Sequence, residues 1–398
     1  MPPERIVLLG AAGREFHNFN VVYRDDRAAV VVAFTATQIP GIARRRYPSS
    51  LAGPRYPAGI PIEEEGALED IGRRERVTRV VFAYSDVTHR HVMTLAARVL
   101  ALGADFELLG PARTMLRAAI PVVAVSAVRT GCGKSPIARW LAGRLRAAGR
   151  RVAVVRHPMP YGDLARQRSQ RFAVRADLEA AHCTVEEREE YEPHLAAGHA
   201  LRPEDASGYH PGEAVLRMAD VVVVNKVNAA TATGVGRAIE AVRRVNAGAP
   251  LVRGALPVKL DEPGRVHGRR VLVVEDGPTL THGSMPYGAG FVAATAAGAA
   301  VIVDPRPAAA PALREVFAQF PHIGRVLPAI GYSPAQVEAL RRTIEMSDAD
   351  VVVAATPVDL ARLLGPGKPI VRARYEFEDV DEPGLAAHVD RWLEGLNG

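Results

Sequence analysis

A chain of 398 residues is too long for one ordinary hydrophobic core and predicts two or three domains. Apolar residues make up 48% and charged residues 24%, the balance of a globular protein without low-complexity tracts. The formal charge is +6, but the arginines are scattered, and no basic stripe interleaved with aromatics marks a nucleic-acid surface. The charge is read as a preference for anionic small molecules. Cys132 and Cys183 stand in no metal-ligand spacing and point to a reducing compartment. The opening "MPPERIVLLG" turns polar too soon for a signal peptide, and "FVAATAAGAAVIV" (291–303) is too short to span a bilayer. The expectation is a cytoplasmic protein with no membrane partner.

Short β-branched runs alternate with helical patterns from end to end, the rhythm of parallel α/β sheets. A first block has strands at 5–10, 29–34, 77–84 and 104–110, with helices at 67–76 and 87–102. A Pro/Gly-rich stretch, 39–66, reads as a long loop inside it, functional or mobile. The second block begins near 121, with strands at 122–128, 151–156, 220–224, 251–256 and 271–275. A third run has strands at 300–304, 325–330, 350–354 and 369–376, alternating with helices at 311–319, 334–345, 357–364 and 384–395. The predicted domains are 1–119, 120–284 and 285–398, the last either separate or continuing the second sheet.

In the first block, "GAAGREFHNFN" (10–20) follows a strand with glycines in a weak dinucleotide-like spacing. Gly13, Arg14, His17 and Asn18 there offer a turn, a fork-shaped cation, an imidazole and an amide, a set suited to a phosphorylated, carboxylated small molecule. The alternative is that His17 and Asn18 only cap and pack the turn.

The clearest signal is "VVAVSAVRTGCGKSPIARWL" (122–141): strand, glycine bend and helix start in succession. Backbone N–H groups of Thr130, Gly131, Cys132 and Gly133 can converge on an anion there. Lys134 reaches β- and γ-phosphates, and the Ser135 hydroxyl can ligate Mg²⁺. Arg129 places a second cation beside the loop. Pro136 falls in the first helical turn, where a missing N–H breaks no helix bond but deletes a donor to an α-phosphate. The loop is read as holding ATP or GTP with Mg²⁺.

Beyond it, "VVRHPMPYGDL" (154–164) puts Arg156 and His157 at a strand end, read as beside the γ-phosphate, Arg156 on substrate and His157 assisting transfer. "ADVVVVNKVN" (219–228) sets Asn225 and Lys226 where a base is read, but Asn228 stands where guanine readout needs an aspartate, which leans toward adenine. No apolar strand ends in a clean metal-binding aspartate between the loop and Asn225. Candidates for that role are Asp163, Asp177, Glu186 to Glu190, Glu275 and Asp276. The acidic run "TVEEREEYEP" (184–193) reads first as an exposed helix and second as a metal or base site. "VEDGPTLTHGSMPYGAG" (274–290), with Thr279, His282 and Ser284, reads as a site wall.

These blocks, with "IPGIARRRYP", "YHPGE", "VDPRP", "VLPAIGYS" and "ATPVDL", resemble the cyclic 2,3-diphosphoglycerate synthetase family and related phosphate-loop GTPase-like proteins. The resemblance covers nearly the whole chain. It implies a Rossmann-like N-terminal domain, a P-loop NTPase domain with a parallel sheet, and an α/β C-terminal region. It further implies ATP-driven closure of a phosphoanhydride within 2,3-diphosphoglycerate by a Mg²⁺-dependent ligase, with a homodimer as the expected assembly. Relatives carry an Asp-Gly-Gly-Asn-Asn-Asp-like strand where this chain has only "LAAGHALRPEDASG" (195–208). The competing readings are a metallochaperone-like GTPase acting through a protein partner, a degenerate nucleotide-binding protein, and, last, a lipid A-type sugar kinase.

Overall fold

The runs Glu4–Leu9, Arg270–Asp276 and Val351–Ala355 are largely buried on both faces, as parallel sheets flanked by helices require. The computed structural model describes all residues except 1, 38–40, 86, 129–131, 156–161, 197–199, 203–211, 282–284, 332, 366 and 397–398, and the side chains of 196, 200–202, 212, 213, 278 and 279 are likewise set aside. The chain forms two compact units. Unit 1 comprises Met1–Ser126, Ala153–Arg171 and Leu201–Val215, and unit 2 comprises Ala127–Val152, Phe172–Ala200 and Leu216–Gly398. Both are mixed α/β with mainly parallel sheets. Among the described residues, no helix is long and apolar enough to cross a membrane.

Unit 1 runs β1 (Glu4–Leu9), α1 (Arg14–Asn18), β2 (Ala29–Ala36), β3 (Arg46–Tyr47), α2 (Ser49–Ala52), β4 (Ile60–Glu64), α3 (Leu68–Glu75), β5 (Arg79–Phe82), α4 (His89–Ala101), β6 (Asp105–Leu108) and α5 (Pro111–Thr114). The sheet order is β3-β4-β2-β1-β5-β6, parallel except for β3. Along β1, Ile6 and Leu8 enter one core and Val7 and Leu9 the other, the period-two alternation of a strand buried on both sides. The crossover lies between β1 and β5, because the chain leaves β1 toward β2 and later returns to its other edge. The stretch 39–66, expected as a loop, instead holds β3, α2 and β4, with Ile42, Tyr47, Tyr56, Ile60 and Ile62 buried. Pro61 within Ile60–Glu64 disguised the strand; it sits opposite Arg46 on the antiparallel edge pair. Farther along, β7 (Ala153–Val155) pairs with β8 (Ala200–Arg202), and Leu164 belongs to unit 1's core.

In unit 2, α6 (Lys134–Ala147), α7 (Arg175–Ala180), α8 (Val185–Ala196) and α9 (Gly212–Met218, its last residues) precede β9 (Val222–Val224), α10 (Ala232–Val245) and β10 (Leu251–Ala255). The main sheet follows with β11 (Val258–Leu260), β12 (Arg270–Asp276), α11 (Gly277–Thr281), α12 (Ala289–Ala296), β13 (Val301–Ile302), α13 (Pro311–Gln319), β14 (Leu327–Ala329), α14 (Pro334–Met346), β15 (Val351–Ala355), α15 (Leu360–Leu364) and β16 (Ile370–Tyr375). The chain ends with β17 (Glu378–Asp379) and α16 (Leu385–Gly395). The sheet order is β11-β16-β15-β12-β13, with β14 also paired to β12. Strand β12 is central because Val271 to Val274 are wholly buried. It pairs with strands from 301–355, so the region after 284 shares one sheet with the residues before it. Local chemistry marks the helix starts: Thr231 caps α10 through Gly234 N (3.1 Å), and Ser333 caps α14 through Gln336 N (3.3 Å) with Pro334 in its first turn.

The expected strand at 122–128 does not form: residues 121–128 lie outside any strand, and Val122 is 63% exposed. A run this apolar reads as a buried strand only if a sheet receives it, which local pattern cannot specify.

Candidate functional site

Helix α6 opens at Lys134, directly after Gly133, whose left-handed φ of +93° turns the chain into the helix. A Cβ on Gly133 would lie 2.3 Å from Asn225 Nδ2, so only glycine lets the two approach. Asn225, just past β9, donates from that amide to the Cys132 carbonyl (3.1 Å), while its buried Oδ1 has no hydrogen-bond partner. The asparagine therefore braces the loop from below. Lys226 holds a left-handed turn (φ +61°), and Asn228 Oδ1 accepts from Leu256 N (2.8 Å), which commits that amide oxygen to backbone. Pro136 is buried in the first turn of α6, where its missing N–H costs no helix bond. Arg129, Thr130 and Gly131 lie outside the described residues, as do Arg156 and His157. The segment that carries the last two, Ala153–Arg171, belongs to unit 1 and not to the unit that holds α6.

The candidate carboxylates separate cleanly. Asp163 Oδ1 accepts from Ala165 N (2.8 Å) and Asp177 Oδ2 from Val174 N (3.0 Å), so both serve local turns and caps. Glu190 does something different: its Oε2 accepts the Ser135 hydroxyl at 2.8 Å. Glu190 sits on α8, the acidic helix expected to be exposed, and the structure buries Glu186, Glu187, Glu189, Glu192 and His194 of that helix. Burial is tolerated because donors meet the carboxylates. Gly331 N reaches Glu186 (3.3 Å), the Thr356 hydroxyl reaches Glu189 (2.7 Å), and Asp359 N reaches Glu192 (3.1 Å). Gly331 follows β14 and Thr356 follows β15, so α8 lies across the carboxyl ends of the main sheet, where parallel sheets hold their ligands.

The acids repel one another. Burial, then the charge of Asp276 at the end of β12, holds the Glu189 carboxyl well above its ordinary range. Glu186 is pushed up to about 7 by burial, and its Oε2 has no partner. Glu275 is also pushed to about 7 by burial, although Gly288, Gly290 and Phe291 N–H groups at the start of α12 all donate to it (3.0, 3.2 and 2.8 Å). The segment after β12, expected as a site wall, is thus anchored by Glu275; His282 and Ser284 lie outside the described residues, as does the side chain of Thr279. One turn into α6, Arg139 faces Glu190, Tyr375 and Glu376, and burial lowers its pKa against their pull. Among the described residues, no three His, Cys, Asp or Glu side chains are placed to hold a metal by themselves. The donor set nonetheless fits a nucleotide-bound Mg²⁺: a hydroxyl and a carboxylate meet at the helix start that faces phosphate in such sites.

In unit 1 the expected substrate residues are already engaged. Arg14 donates to Asn18 Oδ1 and to Thr114 Oγ1 (both 3.0 Å), and buried His17 places Nε2 2.6 Å from the Thr114 carbonyl. The N–H groups of Ala12 and Gly13, which a phosphate would need, are bonded to Glu15 Oε2 (2.9 and 3.0 Å). Glu15 was missed because a glutamate one residue into a helix reads as an ordinary first-turn acid.

No family model matches the chain. A curated relative, arginine synthetase ArcE of Thermococcus kodakarensis, is 46% identical across 98% of this chain and 97% of its own length. The chain belongs to the arginine synthetase ArcE family. The alignment extends over 435 positions, more than the 398 residues here, so the relative carries residues that this chain lacks. Membership overturns the resemblance to cyclic 2,3-diphosphoglycerate synthetase, and with it the diphosphoglycerate substrate and the phosphoanhydride-closing reaction. The GTPase reading gains nothing from the relative either.

Proposed function

We propose that the chain is an ATP- and Mg²⁺-dependent synthetase that forms arginine. The identity with arginine synthetase ArcE along nearly its whole length carries this reading. Arginine's skeleton with oxygen in place of one terminal nitrogen is the ureido amino acid L-citrulline, and that oxygen leaves poorly. The nucleotide supplies the phosphoryl group that makes it a leaving group. An amine then forms the new C–N bond and loses a proton, while the ureido oxygen departs with the phosphate.

The residues of α6 and α8 suit the first half of that chemistry. Lys134 and the amides at the start of α6 would hold the β- and γ-phosphates. Ser135 and Glu190 would hold Mg²⁺, their 2.8 Å contact opening to admit it. Asn225 keeps the loop in shape through the Cys132 carbonyl, and Gly133 leaves room for the Asn225 amide. Stabilising the transferring phosphoryl group by preplaced charge is the main contribution such a site makes.

The test is to incubate the chain with MgATP, L-citrulline and either ammonium or L-aspartate, following arginine by chromatography and distinguishing ADP from AMP. Arginine formation is expected, falling at least 100-fold in Lys134→Ala. Absence of arginine with both nitrogen donors, in a folded preparation, would overturn the reading.

A further inference from the structure

The carboxyl ends of β1, β2, β4 and β5 in unit 1 converge on a buried acidic cluster. Glu15 is fully buried, and while its Oε2 is held by the Ala12 and Gly13 amides, its Oε1 has no hydrogen-bond partner. That oxygen lies where a Cβ on Gly10 would sit, 2.2 Å from it, so Gly10 (φ +106°) is the residue that admits the carboxylate. Gly10 N donates to Thr35 Oγ1 (3.0 Å), and the Thr35 hydroxyl stands beside the carboxyl of Glu65. Glu65, 9% exposed, receives the Tyr84 hydroxyl on Oε1 (3.1 Å) and has no partner on Oε2. Tyr84 in turn meets His91 Nε2 at 2.6 Å, and it feels the charge of both glutamates.

Two buried carboxylates thus share one neighbourhood, each with an open oxygen. The nearby guanidinium groups are engaged elsewhere: Arg98 pairs with both oxygens of Glu69 (2.7 and 2.8 Å), and Arg14 with Asn18 and Thr114. Burial raises the pKa of Glu15 and of Glu65 against the weaker pull of Arg14 on the first and of His91 and Arg98 on the second. The Ala12 and Gly13 amides, which an anion would use, already hold Glu15. The location, at the crossover between β1 and β5, is where an open parallel sheet receives its ligand.

We infer that this cluster binds a small N–H-donating cation, either the ammonium ion or the ammonium head of an amino acid, through Glu15 Oε1 and Glu65 Oε2. The binding claim stands on unit 1 alone. Its meaning, delivery of the amine or of the amino-acid substrate for the new C–N bond, rests on the arginine-forming reading.

The experiment follows the thermal midpoint of the full chain without nucleotide, at constant ionic strength in sodium chloride. Ammonium chloride, L-citrulline, L-arginine and potassium chloride are titrated in turn. A saturable rise with ammonium or with an amino acid, exceeding that with potassium, is expected. Ammonium alone assigns the free ion; an amino acid alone assigns its ammonium head. Glu15→Gln and Glu65→Gln should each weaken the apparent affinity at least tenfold while leaving the MgATP-induced rise intact, which shows that unit 2 remains folded. No rise with any probe, a potassium effect equal to ammonium, or unchanged affinity in both variants would overturn the site. Cation binding without arginine formation would sink only the proposed function, and arginine formation without cation binding only this site.

Discussion

Gly133 and Asn225 are the residue pair on which the shape of the loop depends. A Cβ at Gly133 would meet Asn225 Nδ2 and would also be strained by a φ of +93°. Gly133→Ala is expected to cost roughly 1–3 kcal/mol. In an Asn225→Ala background, where only the backbone strain remains, the cost should shrink by about 1 kcal/mol. Urea unfolding of the four proteins measures this, and strict additivity would show that the two residues do not meet. At this scale the sequence was half legible. "GCGKS" announced the helix start because its signal is local, whereas Glu190 is 55 residues from Ser135 and lay among several candidates that only folding could separate. Glu15 was illegible for the opposite reason: its partners are three and two residues away, but the turn that brings them together exists only in three dimensions.

Among the elements, α8 departs most from expectation. Counting charges along 184–193 predicts a solvated helix, yet acids at 186, 187, 189 and 192 are buried: loops after β14 and β15 present donors to Glu186, Glu189 and Glu192, and Thr184 N donates to Glu187. The consequence is a pH dependence of defined sign. Glu186 and Glu275 titrate at about 7 in the fold against an ordinary 4.5, so the folded chain keeps protons that the unfolded chain has lost. Their contribution to stability is complete below the unfolded value and is lost as pH rises through about 7. Each accounts for up to about 3 kcal/mol between pH 5 and 8 by linkage. Unfolding free energies should fall across that window, and Glu186→Gln should flatten the slope; a curve that rises instead would refute the assignment. The strands β1, β12 and β15 were readable as uniform apolar runs. β4 was not, because Pro61 mimics a loop.

For the whole molecule, the chain does not build its units one after another. Residues 153–171 belong to unit 1 although α6, a unit 2 helix, precedes them, and Leu164 is buried in unit 1's core. Leu164→Ala in the full chain should therefore speed hydrogen exchange in β1 and β2, by an amount that corresponds to roughly 2–3 kcal/mol. Exchange faster only in unit 2 would place the segment elsewhere. The sequence gives the alternation of strands and helices but not this interleaving, since hydropathy is blind to which core a side chain joins.

The carboxylate that Glu15 tucks into its own glycine turn reverses what such a crossover attracts. A strand, two glycines and a short helix ordinarily make a receptor for anions; here the chain's own carboxylate takes the amides that an anion would use. One side chain thus fills a familiar bend from within, and the inferred amine site would be its consequence.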